Sequence, residues 1–210
     1  MIKAVLFDLD GSLVTTDYEH REFVVGCTLK DLGTKASPEL IDKFWFEEER
    51  DKTIRESFHV DPELFWNIFH IYDTSEFRNQ FTRPYSDVKF IRELRRKGYK
   101  TGIVTDGPNY IASFEIEMIG RELFDAVVDN SAQVKPKPSA EGLEKCLGML
   151  EVKNNEAIYV GNSRGDMEAA RNAHVIGVLI NRGEYSFPNA KPSFQIYSLY
   201  ELRALLGSMH

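Results

Sequence analysis

The sequence predicts an α/β protein in which a parallel sheet flanked by helices carries an inserted helical domain. Short apolar, β-branched runs bounded by turn residues recur at 4–7 (AVLF), 101–104 (TGIV), 126–128 (AVV), 157–160 (AIYV) and 175–180 (VIGVLI), the pattern of strands buried on both faces. Between the later runs lie SDVKFIRELRRKGY, SFEIEMIGRELF, SAEGLEKCLGML and GDMEAARNA, whose apolar residues recur at helical intervals. Strand alternating with helix is the order of a parallel sheet, since parallel neighbours need a crossover between them. The third observation is an interruption of that rhythm. A crossover needs about a dozen residues or somewhat more, and the first two runs are much farther apart.

The intervening text, from Asp17 to Arg83, reads as helical throughout: EHREFVVGCTLKDLG, SPELIDKFWFEEERDKTIRESF and DPELFWNIFHIYD. Ser37 and Asp61, each followed by proline and glutamate, fit helix N-caps. The predicted division is therefore a core of residues 1–16 and 84–210 and an inserted helical cap of residues 17–83. Short connections near 14–18 and 82–86 would let the cap open and close. Phe44, Trp45, Phe46, Phe58, Phe65, Trp66 and Phe69 recur at helical spacing and are expected to pack the cap's own core. Arg50, Lys52 and Arg55 stand in the mixed-charge stretch EEERDKTIRE, which reads as a solvated helix face from which one cation could reach a substrate.

Composition limits the partners. A chain of 210 residues with 42% hydrophobic content can build a sizeable core. A net charge of -7 argues against nucleic acid, whose phosphates are gripped by clustered Lys and Arg. An anionic substrate would have to be met locally, by a metal or a few placed cations. Cys27 and Cys146 form no CxxC pattern and are expected to be buried thiols. The apolar runs are too short to span a bilayer, so the expectation is a soluble cytoplasmic protein without a membrane partner, monomer or homodimer. His20, His59, His70, His174 and His210 have no ligand-like spacing.

Four polar signals each follow a different predicted strand. Asp8 and Asp10 in FDLDGS come first; two carboxylates so close repel unless a cation lies between them or one holds a proton, which suits a hard divalent ion. Thr105 in VTDG, Lys135 in VKPKPSAEG, and Asn162 with Asp166 in GNSRGD complete the set. Each alone has a plain reading: a turn closed by Gly11, a strand-end threonine, a solvated lysine, a helix-start acid. Together they put complementary groups at the carboxyl end of one sheet, where ligand sites of such sheets lie.

FDLDGS, VTDG, VKPKP and VGNSRGD resemble, in order and spacing, the four motifs of the haloacid dehalogenase-like hydrolase superfamily. The likeness is strongest to the branch with a helical cap after the first strand, that of phosphoglycolate phosphatase-like and β-phosphoglucomutase-like proteins. It implies a Rossmann-like core and a magnesium-dependent phosphatase acting on a small phosphorylated metabolite. Asp8 would be the nucleophile that becomes an aspartyl phosphate, and Asp10 the acid and base. Thr105, Asp106, Gly107 and Lys135 would hold the phosphoryl group; the lysine preceding the first proline selects Lys135 over Lys137. Asp8, the Asp10 carbonyl, Asn162 and Asp166 would hold Mg2+. Ser12 stands where the family has Thr, Asp106 where Asn is commoner, and Asn162 where a metal-binding Asp is usual.

Asp10 speaks against a metal-free dehalogenase. A phosphomutase would use the same core, and a non-catalytic binding or regulatory protein with a weakened metal site is the alternative from a different class.

Overall fold

The computed structural model describes residues 1–46 and 49–209; Glu47 and Glu48 of the mixed-charge stretch, and His210, lie outside the described residues. Eight strands occur among the described residues: β1 (Ala4–Phe7), β2 (Val14–Thr16), β3 (Thr82–Pro84), β4 (Lys100–Val104), β5 (Ala126–Val128), β6 (Ala157–Gly161), β7 (Ile176–Ile180) and β8 (Phe194–Ile196). Ten α-helices accompany them: α1 (Tyr18–Asp31), α2 (Pro38–Phe46), α3 (Arg50–Thr53), α4 (Pro62–Tyr72), α5 (Ser75–Arg78), α6 (Phe90–Arg96), α7 (Asn109–Ile119), α8 (Glu141–Leu150), α9 (Arg164–Asn172) and α10 (Leu202–Gly207). None is long and apolar enough to cross a membrane.

The chain divides into two compact units, Met1–Thr15 with Pro84–His210, and Thr16–Arg83. In the first, six strands form one sheet in the order β5-β4-β1-β6-β7-β8, parallel at every pairing. Successive residues of β1 face opposite layers, as the two-residue repeat of a strand requires. Val5 and Phe7 pack with α6, α7 and α10, and Ala4 and Leu6 with α8 and α9. Both faces are thereby covered, which explains why the strands read as unbroken apolar runs. β1 is central, so the loops after β1, β4 and β6 emerge side by side at the carboxyl edge.

Helix boundaries depart from the sequence reading where glycine and proline intervene. The helix expected over SFEIEMIGRELF begins earlier, at Asn109 after Pro108, and stops at Ile119 because Gly120 takes φ 115; Arg121–Leu123 forms a separate 3-10 turn. β8 has no apolar run to announce it, since Phe194 and Gln195 are exposed.

The second unit is helical. Val24, Val25, Ile41, Phe44, Phe58, Phe65 and Phe69 form its core, so the aromatic stripe packs internally. Asp61 caps α4 by accepting from the N–H of Glu63 and Leu64 at 2.9 and 3.1 Å. Arg50 donates to the Trp45 carbonyl at 2.8 Å, while Lys52 and Arg55 pair with Glu49 and Asp51 on an exposed face. A buried polar cluster lies beneath the aromatics: Arg78 Nε is 2.7 Å, and His20 Nε2 3.3 Å, from Asp73 Oδ1. Cys146 is buried, its thiol pushed up to about 12 by loss of solvent, whereas Cys27, expected to be buried, is only half-buried.

Candidate active site

Asp8 follows the last residue of β1, and its N–H bonds to the Val160 carbonyl of β6 at 2.8 Å. The chain then folds into a tight turn in which the Leu9 carbonyl accepts from Ser12, Leu13 and Val14 N–H. Gly11 sits at φ 77 in that turn, and a Cβ there would stand 2.2 Å from Asn162 Nδ2. Only glycine supplies both the backbone angle and the room. The Ser12 hydroxyl lies 3.1 Å from Asp8 Oδ2 and 3.3 Å from Asn162 Oδ1, bridging the ends of β1 and β6. Asp10 is half-buried beside them.

After β6 the chain turns directly into α9. Ser163 and Asp166 form a reciprocal capping box, Ser163 N–H and Oγ donating to Asp166 Oδ2 at 2.9 and 2.8 Å, which satisfies the orphan amides of a helix start. Gly161 is needed beneath it, since a Cβ would fall 2.4 Å from Asp166 Cγ. Asp166 Oδ1 accepts from Lys137 Nζ at 2.7 Å and from the Tyr159 hydroxyl at 2.8 Å. After β4, Thr105 Oγ1 accepts the Gly107 N–H at 3.1 Å; a hydroxyl that accepts still has its own hydrogen to donate.

The structure corrects the choice of lysine. Lys137 Nζ lies 2.7 Å from Asp8 Oδ1, the same distance from Asp166 Oδ1, and 3.3 Å from the Tyr159 hydroxyl, with 11% of its side chain exposed. Lys135 is 79% exposed and pairs with Glu141 at 3.0 Å. The cause is the backbone. Both oxygens of Asp106 accept the Lys137 N–H at 3.1–3.2 Å, turning that residue inward, while Glu141 holds the Lys135 N–H at 3.0 Å. Asp106, expected to contact phosphate, thus ties the loop after β4 to the lysine loop.

One buried cation faces two buried acids. Burial acts to lower Lys137, yet attraction from Asp166 and Asp8 holds it well above the usual ammonium range. The two acids divide the cost. Burial acts to raise Asp166, but Lys137 and the Ser163 donors keep it below the usual carboxylate range. Asp8 has fewer donors; burial, reinforced by Asp166, pushes it up to about 7 against the pull of Lys137. Tyr159, fully buried and overlooked in the sequence because it sits inside an apolar run, is the floor of this arrangement, 3.0 Å from the Val104 carbonyl.

Asp166 was expected to bind metal; in the structure four donors, from Lys137, Tyr159 and Ser163, occupy its two oxygens. Among the described residues no group of three or more His, Cys, Asp and Glu is arranged to hold a metal ion. The remaining oxygen donors nevertheless suit magnesium. Asp8 Oδ2 and Asn162 Oδ1 converge on the Ser12 hydroxyl, both are hard ligands, and magnesium keeps several waters and needs few protein groups.

The haloacid dehalogenase-like hydrolase model matches residues 5–180. Pyrophosphatase PpaX of Bacillus cereus (strain B4264) is 29% identical over 228 aligned positions, covering 100% of this chain and 98% of the relative. The crystal structure of a HAD phosphatase from Thermococcus onnurineus is 30% identical with a TM-score of 0.72, covering 98% of each chain. CbbY from Rhodobacter sphaeroides, solved in complex with phosphate, superposes with a TM-score of 0.78 at 20% identity over 96% of each chain, a likeness of fold.

Proposed function

The chain belongs to the haloacid dehalogenase-like hydrolases, and we propose that, as a phosphatase of that family, it hydrolyses a small phosphorylated substrate through a covalent intermediate on Asp8. The observation that carries this reading is Lys137 Nζ, 2.7 Å from Asp8 Oδ1 at the carboxyl end of the central strand. A cation fixed there neutralises the carboxylate and the incoming phosphoryl group together.

An oxygen of Asp8 attacks phosphorus as the bond to the leaving oxygen breaks. Asp10 gives that oxygen its proton. Asp10, now a carboxylate, takes a proton from water, whose oxygen attacks the phosphorus of the aspartyl phosphate; the P–O bond to Asp8 breaks, and phosphate leaves with Asp8 restored. The Thr105 hydroxyl and Lys137 hold the transferring oxygens throughout. Asp8, Asp10 and Asn162 would hold magnesium, with Asp166 orienting Lys137 instead. When bound, the ion would supply positive charge that keeps Asp8 ionised and draws electrons from the phosphoryl oxygens.

The likeness to pyrophosphatase PpaX makes inorganic pyrophosphate the first compound to try, and two free thiols suit a cytoplasmic protein. The test is turnover of pyrophosphate, phosphoglycolate and sugar phosphates with and without magnesium, by wild type and Asp8→Asn. Magnesium-dependent phosphate release that Asp8→Asn loses by several orders of magnitude is expected, with a phosphorylated Asp8 peptide in acid-quenched wild type. Near-wild-type turnover by Asp8→Asn overturns the covalent route.

A further inference from the structure

The loop after β7 carries a guanidinium that none of the four strand-end signals includes. Arg182 Nη2 and Nε donate to the Ser12 carbonyl at 2.7 and 3.1 Å. Its other face makes a two-pronged pair with Asp87, Nη1 to Oδ2 at 2.8 Å and Nη2 to Oδ1 at 3.1 Å. Both side chains are more than nine-tenths buried, and the guanidinium lies 3.9 Å from the centre of the Tyr85 ring. Asp87 is anchored in turn by the Ser198 hydroxyl at 2.8 Å and the Leu199 N–H at 2.9 Å. The fork therefore has one orientation available, and that orientation grips the residue whose hydroxyl touches Asp8 and Asn162.

We propose that Arg182 is a positioning residue for catalysis, holding the Ser12 carbonyl so that the turn from Leu9 to Val14 presents Asp8 and Asp10 to the substrate. The guanidinium supplies the charged contact to the turn's backbone at that point. Its own hydrogen bonds run from three N–H groups to the Leu9 carbonyl at 2.8–3.2 Å and from the Gly11 N–H to the Val14 carbonyl at 2.8 Å, and the Ser12 carbonyl is held by Arg182. Without the guanidinium the Ser12 carbonyl loses its charged partner, and a turn that shifts to give it another draws the Ser12 hydroxyl away from Asp8 and Asn162. An error of about an ångström in the attacking group costs roughly a hundredfold in rate. Lysine cannot substitute: a point charge can satisfy Asp87 but cannot span Asp87 and the carbonyl at once.

The proposal rests on the phosphatase reading for its rate arm and is independent of it for its structural arm. Arg182→Lys keeps Asp87 paired, so folding survives; Arg182→Gln removes the charge as well. Leu206→Ala, which opens the core beneath α10, supplies lowered stability without touching the turn. With p-nitrophenyl phosphate as probe, kcat is expected to fall about tenfold or more in both Arg182 variants while KM changes less than about threefold, and to stay near wild type in Leu206→Ala. Amide hydrogen exchange across residues 9–14 should accelerate in the Arg182 variants alone. Wild-type kcat in Arg182→Lys, unchanged exchange at 9–14, or an equal loss of kcat in Leu206→Ala overturns the role. A wild type that releases phosphate from no compound overturns the phosphatase reading, and the exchange measurement still decides whether Arg182 holds the turn.

Discussion

Lys137 donates from Nζ to Asp8 at 2.7 Å, although Lys135 stands two residues earlier in the same KPKP run. The two lysines differ in where the chain delivers them. Lys137→Ala is expected to lower kcat by about a hundredfold or more, the scale of losing one preorganised charge partner, whereas Lys135→Ala should stay within about twofold. Steady-state turnover with a melting curve for each variant checks this. Equal effects would mean that neither lysine serves Asp8.

The proposed magnesium site can be tested through charge. Asn162 brings a dipole where a carboxylate would bring a full charge, so Asn162→Asp is expected to tighten magnesium by roughly 1 kcal/mol or more. Asp166→Asn removes a charge already committed to Lys137, Tyr159 and Ser163. It should lower kcat while changing magnesium affinity less than about threefold. Calorimetric titration of the free proteins distinguishes the two; loss of binding in Asp166→Asn would return that residue to the metal shell.

Tyr159 bears on both stability and rate. Its hydroxyl bonds to Asp166 at 2.8 Å and lies 3.3 Å from Lys137, so Tyr159→Phe leaves a buried carboxylate with one donor fewer. A loss of about 1–2 kcal/mol in denaturant unfolding is expected, with a several-fold drop in kcat. An unaltered midpoint and rate would show the hydroxyl to be a bystander.

The helical unit carries an acid-sensitive cluster. Burial acts to raise Asp73, but His20 and Arg78 hold it down, from 3.8 to about 2. A folded value below the unfolded one stabilises above the unfolded pKa, and the gain is lost as pH falls through the folded one. Asp73 should therefore contribute roughly 2 kcal/mol at pH 7, fading between about pH 4 and pH 2. The stability difference between wild type and Asp73→Asn, measured by urea unfolding across that range, should shrink accordingly. A difference independent of pH would exclude the linkage.

Much of the fold was legible because burial on both faces leaves a simple mark. Runs such as AVLF and AIYV have no polar member to spare, and β1 and β6 lie where those runs lie. β8, with two exposed residues in three, left no such mark. Of the expected site residues, Asp8, Thr105 and Asn162 each follow directly on the end of a strand, with Asp10 two residues beyond Asp8, and strand ends can be located from the apolar runs. Lys137 was not legible, since a proline-rich loop has no periodicity to count from. What turns Lys137 inward is the Asp106 carboxylate on its N–H, a contact 31 residues away in the chain.

The sequence by itself determined the alternation of strand and helix, the interruption after the first strand, and which strand ends carry acids, hydroxyls and amides. These follow from local periodicity and from turn signals such as Gly11, whose positive φ belongs to the local turn. Only the tertiary structure decided which lysine meets Asp8, that Asp166 and Tyr159 orient that lysine, and that Arg182 reaches across 170 positions to the Ser12 carbonyl. Those choices depend on distances between residues far apart in the chain. They are set when the parallel sheet brings the ends of β1, β4, β6 and β7 to one edge, and burial then requires every charge left there to find a partner.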